Sequence, residues 1–211
     1  MPCRSLLRVY PDFYTLSAAL RACSADSLIR PGQQVHALAI TSSIAGDPLV
    51  STRLIDMYFS CRLPAVAAWV FDSVLPPALK NHVLWTMFIT GLTKNGETCT
   101  AMERFRSMRA LGIESNQFTL LTMLSACASE RVLRFGCQVH GCTMWMGFGS
   151  SPFVQSSLVS LYSKCSDFSS AKQVFQTSDL DDPVSWNALI VSCARGTLHE
   201  DALSLFPEMH H

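Results

Sequence analysis

The sequence is short of charge. Lys, Arg, Asp and Glu together make up 15% of its 211 residues, and 16 basic side chains meet 16 acidic ones, so the formal net charge is zero. A chain without a basic excess has no general attraction for phosphate, and any contact with nucleic acid must come from a local strip of side chains. No apolar run reaches the ~18 residues that a membrane-spanning helix needs, so no membrane association is expected. The first ten residues carry Arg4 and Arg8 without an acid, but no secretory apolar core follows them. Nine Cys is an odd number, and no Cys-x-x-Cys pair occurs. That excludes a disulfide framework and a zinc ribbon, and leaves small, mostly buried thiols in a reducing compartment. Gly and Pro number ten each and no heptad is sustained, which excludes collagen and coiled coil. With 49% hydrophobic residues, the chain can bury a substantial core and is not disordered.

What the sequence does contain is a repeat of itself. Ala22-Cys23-Ser24 returns as Ala126-Cys127-Ala128, Gly32-x-Gln34-Val35-His36 as Gly136-x-Gln138-Val139-His140, and Leu54-Ile55-x-x-Tyr58-x-x-Cys61 as Leu158-Val159-x-x-Tyr162-x-x-Cys165. All share one offset, 104 residues. Trp85-Thr86-x-x-Ile89 returns as Trp186-Asn187-x-x-Ile190 at an offset of 101, the difference falling in the longer segment Leu75–Asn81.

Each block reads as three helical hairpins. In His82–Asn116, Leu84, Phe88 and Leu92 recur every four residues with Trp85 and Ile89 beside them. Asn95-Gly96 breaks that helix, Ala101, Phe105 and Met108 mark a second one, and Gly112 stops it. Ala67/Phe71, Ala171/Phe175 and Ala202/Phe206 repeat the small-then-aromatic spacing, which lets two antiparallel helices approach while the ring fills the layer between hairpins. The expected division is a remnant at 1–12, then units 13–47, 48–81, 82–116, 117–151, 152–182 and a shortened 183–211. A hairpin of this size cannot bury its apolar face alone. The expected fold is therefore all-α: an α-solenoid of stacked antiparallel helix hairpins in a right-handed superhelix, related to the tetratricopeptide architecture. No polar cap marks either end, so a fragment of a longer array is expected.

These residues resemble the pentatricopeptide repeat family, in the plant subclass whose units alternate between long, short and ordinary types. Leu124-Ser125-Ala126-Cys127-Ala128-Ser129 and Gly136-Cys137-Gln138-Val139-His140 are similar to its long units (13–47 and 117–151). Leu54-Ile55-Asp56-Met57-Tyr58 and Leu158-Val159-Ser160-Leu161-Tyr162-Ser163-Lys164-Cys165 are similar to its short units (48–81 and 152–182). Val83-Leu84-Trp85-Thr86 and Val184-Ser185-Trp186-Asn187-Ala188-Leu189-Ile190 are similar to its ordinary units (82–116 and 183–211).

The resemblance implies single-stranded organellar RNA as partner, in mitochondrion or chloroplast, read one base per repeat by two or three side chains for RNA processing or C-to-U editing. In the family the selective residues are the fifth and the last of each unit. Here those are Ser17 with Asp47, Thr52 with Asn81, Thr86 with Asn116, Leu121 with Ser151, Ser156 with Asp182, and Asn187. An ionised Asp182 only accepts, which suits the N–H donors of guanine; Asn187 both donates and accepts, which suits a pyrimidine; the two Thr–Asn pairs match the family's adenine pairing. Leu121 offers no hydrogen bond, so its unit is expected to be silent. The expected footprint core is A-A-N-G-pyrimidine. Phe153 and Val184, second in their units, are expected to stack on bases.

His36 and His140 occupy one repeat position without neighbouring ligands at metal spacing, and are expected to pack or hydrogen-bond within their units. Neither His-x-Glu nor Cys-x-x-Cys occurs, so the deaminase-like catalysis found in some family members is not expected of these residues, and an editing or processing factor would act in trans. No cofactor, no metal, no enzymatic activity and a monomer are expected. The alternatives are a helical-repeat scaffold for a protein partner, or a truncated product without function.

Overall fold

The computed structural model describes residues 11–74, 80–177 and 183–195, together with residues 203 and 205. Among them every regular element is helical. The helices are α1 (Phe13–Ala25), α2 (Ile29–Thr41), α3 (Pro48–Ser60), α4 (Pro64–Trp69), α5 (His82–Lys94), α6 (Thr98–Ala110), α7 (Gln117–Glu130), α8 (Leu133–Trp145), α9 (Pro152–Lys164), α10 (Phe168–Gln176) and α11 (Pro183–Arg195). Helix α4 runs on into a π-helical turn, Val70–Val74, which carries the buried Phe71.

Short polar side chains set where many of these helices begin. Asp12, Asp47, Asn81 and Asn116 stand in extended backbone just before α1, α3, α5 and α7, and each accepts hydrogen bonds from first-turn amides that have no partner inside the helix. The ends are equally regular. Ser27, Ser43, Arg62, Gly96, Gly112, Arg131, Gly147 and Ser166 all have positive φ, between 53° and 83°, and each lies in a connection between successive helices. A left-handed residue there turns the chain back so that the next helix runs antiparallel.

The chain forms two compact units, Met1–Glu97 and Thr98–His211. In the first, α1 packs on α2 and α3, α3 on α4, and α5 beside α3. In the second, α7 packs on α6, α8 and α9, and α9 on α10 and α11. Helices enclosed on several sides are apolar on several sides. Helix α3 buries Val50, Leu54, Ile55, Met57, Tyr58 and Phe59, and α9 buries Val154, Leu158, Val159, Leu161 and Tyr162.

Two glycines stand at matching close approaches in this packing. A Cβ on Gly32 of α2 would lie 2.5 Å from Sδ of Met57 in α3. A Cβ on Gly136 of α8 would lie 2.7 Å from Cδ2 of Leu161 in α9. The sequence repeat is thus a packing repeat: the same helix crosses its neighbour at the same hydrogen-for-side-chain contact. The aromatic half of the Ala–Phe pattern fills the next layer. Phe71 stacks on Phe88 with centroids 4.0 Å apart and planes 9° apart, and meets Trp85 edge-on at 4.9 Å. Phe175 meets Trp186 edge-on at 4.5 Å.

Candidate nucleic-acid interface

The fifth residues of the units all lie in the second turn of helices that open a hairpin: Ser17 in α1, Thr52 in α3, Thr86 in α5, Leu121 in α7, Ser156 in α9 and Asn187 in α11. Their exposure differs. Ser17 and Thr86 are buried, at 9% and 7% exposed; Ser17 lies in α1, which packs on α3. Thr52, Leu121 and Ser156 are half-buried, and Asn187 is exposed. The Thr52 hydroxyl donates to the Pro48 carbonyl at 2.6 Å, which leaves its oxygen lone pairs as the group it can offer outward.

The last residues of the units hold a second role that the sequence reading did not assign them. Asp47 Oδ1 accepts from the Leu49 and Val50 amides at 2.9 and 3.2 Å. Asn81 Oδ1 accepts from Leu84 N at 3.0 Å, and Asn116 Oδ1 from Thr119 N at 2.8 Å. The signal was in the sequence: Asp or Asn immediately before an apolar helical run is a cap. Capping fixes the oxygen end of each Asn side chain against its own helix and leaves Nδ2 as the outward group. Ser151 is the exception. It stands at the N-cap of α9 without a capping hydrogen bond from its side chain, and accepts instead from Nε2 of Gln117 at 2.6 Å. Asp182 and the side chain of Val184 lie outside the described residues.

Beside these polar groups stand apolar ones. Phe153 is 71% exposed, an unusual place for a phenyl ring unless something covers it. It is not alone. Tyr14 and Val83 in the first compact unit and Phe118 in the second occupy the same second position of their helices and are 67%, 60% and 57% exposed. The sequence reading singled out only Phe153 and Val184. Tracking the second residue of every opening helix, each one apolar, would have found the others.

The two histidines sit elsewhere in the hairpins. His36 Nδ1 and the Tyr58 hydroxyl share a hydrogen bond of 2.7 Å, and His140 Nδ1 and the Tyr162 hydroxyl one of 2.8 Å. Burial lowers both histidine pKa values and raises both tyrosines, so all four rings are held neutral. They are structural pairs within the repeat, as their spacing suggested. Around His140 and Tyr162 a cavity of about 530 Å³ opens between α8, α9 and α10, with Gln155, Gln173 and Met144 in its wall. Burial likewise pushes the Cys127 thiol up to about 12. Among the described residues no group of three or more His, Cys, Asp or Glu is placed to hold a metal, and no helix is long and apolar enough to cross a membrane.

A family model described as the PPR repeat matches residues 83–113 and 184–211. The chain carries pentatricopeptide repeats. Two pentatricopeptide repeat-containing proteins of Arabidopsis thaliana are similar along nearly all of it: one is 33% identical over 94% of the chain, the other 35% identical over 95%. The chain spans 20% and 33% of the lengths of these two relatives. Among solved structures, the pentatricopeptide repeat protein PPR10 in complex with an 18-nt psaJ RNA element has a TM-score of 0.75 at 20% identity, covering 94% of this chain and 30% of that one. PPR10 from maize has a TM-score of 0.72 at 17% identity, covering 92% and 28%. At such identities the likeness establishes the fold: this chain is an α-solenoid of helical repeats.

Proposed function

We propose that these repeats bind single-stranded RNA with sequence selectivity, one base per repeat, as part of organellar RNA processing or editing in mitochondrion or chloroplast. The observation that carries the reading is the exposed apolar residue at the second position of the opening helices α1, α5, α7 and α9, each followed three residues later by the fifth residue. A base has an apolar face and a hydrogen-bonding edge, and this pairing offers a surface for each. The likeness to PPR10 in its complex with RNA supports the same reading.

The repeat division at 13–47, 48–81, 82–116, 117–151, 152–182 and 183–211 belongs to the proposal. It is supported by helices that begin at Phe13, Pro48, His82, Gln117, Pro152 and Pro183. In this division Thr52 and Asn81 select adenine, Ser156 and Asp182 guanine, and Asn187 a pyrimidine. In this reading a factor acting in trans carries out the chemistry on the RNA.

Affinity comes from few contacts here, because the chain has no net positive charge. Binding is therefore expected to weaken only gently with salt, with stacking supplying more of it than phosphate contacts. The test is a filter-binding series with an A-A-N-G-pyrimidine oligonucleotide and a scrambled control, followed by base selection on Asp182→Asn. Selectivity that survives in salt, and a guanine preference that shifts in the variant, are expected. Equal retention of both oligonucleotides would sink the selective reading.

A further inference from the structure

The unit at 117–151 has an apolar fifth residue, Leu121, and on that ground reads no base. We propose that Gln117, the first residue of α7, takes over the reading in this unit and selects adenine. The inference rests on the RNA-binding reading above and adds a residue and a base to it.

Three observations carry it. First, Gln117 reaches across to the last residue of its own unit: Nε2 donates to Ser151 Oγ at 2.6 Å, and both side chains are half-buried. A long, rotatable side chain is thereby held at the N-termini of both α7 and α9, where the other units place their selective residues. Second, Ser151 alone among the described last residues does not cap with its side chain. Its hydroxyl is turned to Gln117 rather than to the amides of α9. The glutamine contact stands where the other units make an N-cap hydrogen bond. Third, the exposed rings follow immediately. Phe118 is the next residue after Gln117, and Phe153 lies two residues after Ser151; they are 57% and 71% exposed. The carboxamide thus sits next in sequence to one stacking surface, and its partner two residues from another.

The chemistry selects the base. With one N–H given to Ser151, the Gln117 carboxamide retains its second N–H as donor and Oε1 as acceptor, side by side in one plane. Adenine presents the complement, an amino donor beside a ring-nitrogen acceptor, which is why glutamine and asparagine pair with it in two hydrogen bonds. Ser151 fixes the direction in which the carboxamide faces, and a fixed donor–acceptor order discriminates where a free one would turn to suit other bases. The silent position of the footprint becomes adenine, giving A-A-A-G-pyrimidine.

The test is selection from single-stranded RNA randomised at the third footprint position, on the full 211-residue chain. The wild type is expected to enrich adenine there by roughly tenfold, the size of one good two-bond contact. Gln117→Ala is expected to flatten that position alone, keep the preferences on either side, and leave the urea midpoint in place. Gln117→Glu keeps the reach but only accepts, and is expected to move the preference from adenine toward guanine. A uniform third position in the wild type, another preferred base, or an adenine preference that survives Gln117→Ala overturns the assignment of Gln117 while neighbouring positions still select. Loss of all selectivity in the wild type strikes the underlying RNA reading instead.

Discussion

The four helices at 13–74 and their copy at 117–177 differ in ways that separate scaffold from specificity. Both keep a glycine under a bulky residue of the next helix, Gly32 under Met57 and Gly136 under Leu161. Both keep the His–Tyr bond, with ring centroids 5.6 and 5.7 Å apart and the same 69° between planes. Both turn at left-handed residues in register: Ser27 and Arg131, Ser43 and Gly147, Arg62 and Ser166. The differences lie around this frame. Trp69 has its ring centroid 6.3 Å from that of His36, whereas its counterpart Gln173 borders the cavity beside His140. Asp47 caps its helix, whereas its counterpart Ser151 is turned to Gln117. A repeat keeps the contacts that close one helix on the next, and varies the side chains that those contacts leave over.

The sharpest break of this comparison is at the aromatic layer. Phe71 is fully buried between Phe88 and Trp85, while Phe175, its counterpart, keeps 8% of its surface exposed and meets Trp186 edge-on. Phe71→Ala is expected to cost about 3–5 kcal/mol, and Phe175→Ala about 3, at the lower end of the range for such truncations. Urea unfolding of both variants measures the difference. Equal losses would mean that the two copies are packed equally well and that the stacked Phe71–Phe88 pair adds nothing.

A smaller separation is expected at the glycines. Adding a methyl group at Gly136 meets Leu161 at 2.7, 2.9 and 3.2 Å, including the branching carbon, so the backbone itself must give. Gly136→Ala should cost about 1–3 kcal/mol. At Gly32 the clash is with Sδ and Cε of Met57, at the far end of an unbranched chain that can swing away. The helix propensity gained by alanine, about 1 kcal/mol, then offsets the repacking, and Gly32→Ala should be near neutral. Thermal melts decide the sign.

The last residues of the units give a third contrast. Asp47→Ala removes an acceptor from two first-turn amides and should cost about 1 kcal/mol. Ser151→Ala removes no cap and should cost a few tenths, on the order of an exposed surface change. A Ser151 loss as large as that of Asp47 would mean that its hydroxyl caps α9 in solution, and would weaken the Gln117 contact.

Much of the scaffold was legible before any coordinates. The offset of 104 residues and the fourfold apolar spacing of His82–Asn116 specified helical hairpins, because a helix that buries one face must repeat at that interval. Gly96 and Gly112 were legible as stops, since both adopt the left-handed conformation that glycine takes without strain. The non-glycine turns at Ser27, Arg62, Arg131 and Ser166 were not, because their strain is carried by the packing on both sides and leaves no mark on composition. The site was read less completely. Fifth and last positions followed from resemblance, but the burial of Ser17 and Thr86 depends on the neighbouring helix, which one unit's residues do not reveal. The contact of Gln117 with Ser151 was not legible because the two residues are 34 positions apart.

The mildest test of the comparison is pH. His36 and His140 both titrate below the ordinary histidine value because burial disfavours the charged ring. As pH falls through about 6.5, the unfolded chain takes up these protons before the folded one does, so stability is full above that value and declines as the folded pKa values are approached. The two copies should not contribute equally. His36 is 7% exposed, its Nε2 is buried without a partner, and Trp69 lies nearby. His140 is half-buried and borders a cavity that water can enter. Replacing His36 with Gln should therefore flatten the stability profile between pH 7 and 5 more than His140→Gln does. The measurement is the urea midpoint at stepped pH for both variants. A larger effect at His140 would mean that the cavity excludes water and that Trp69 does not seal the first copy.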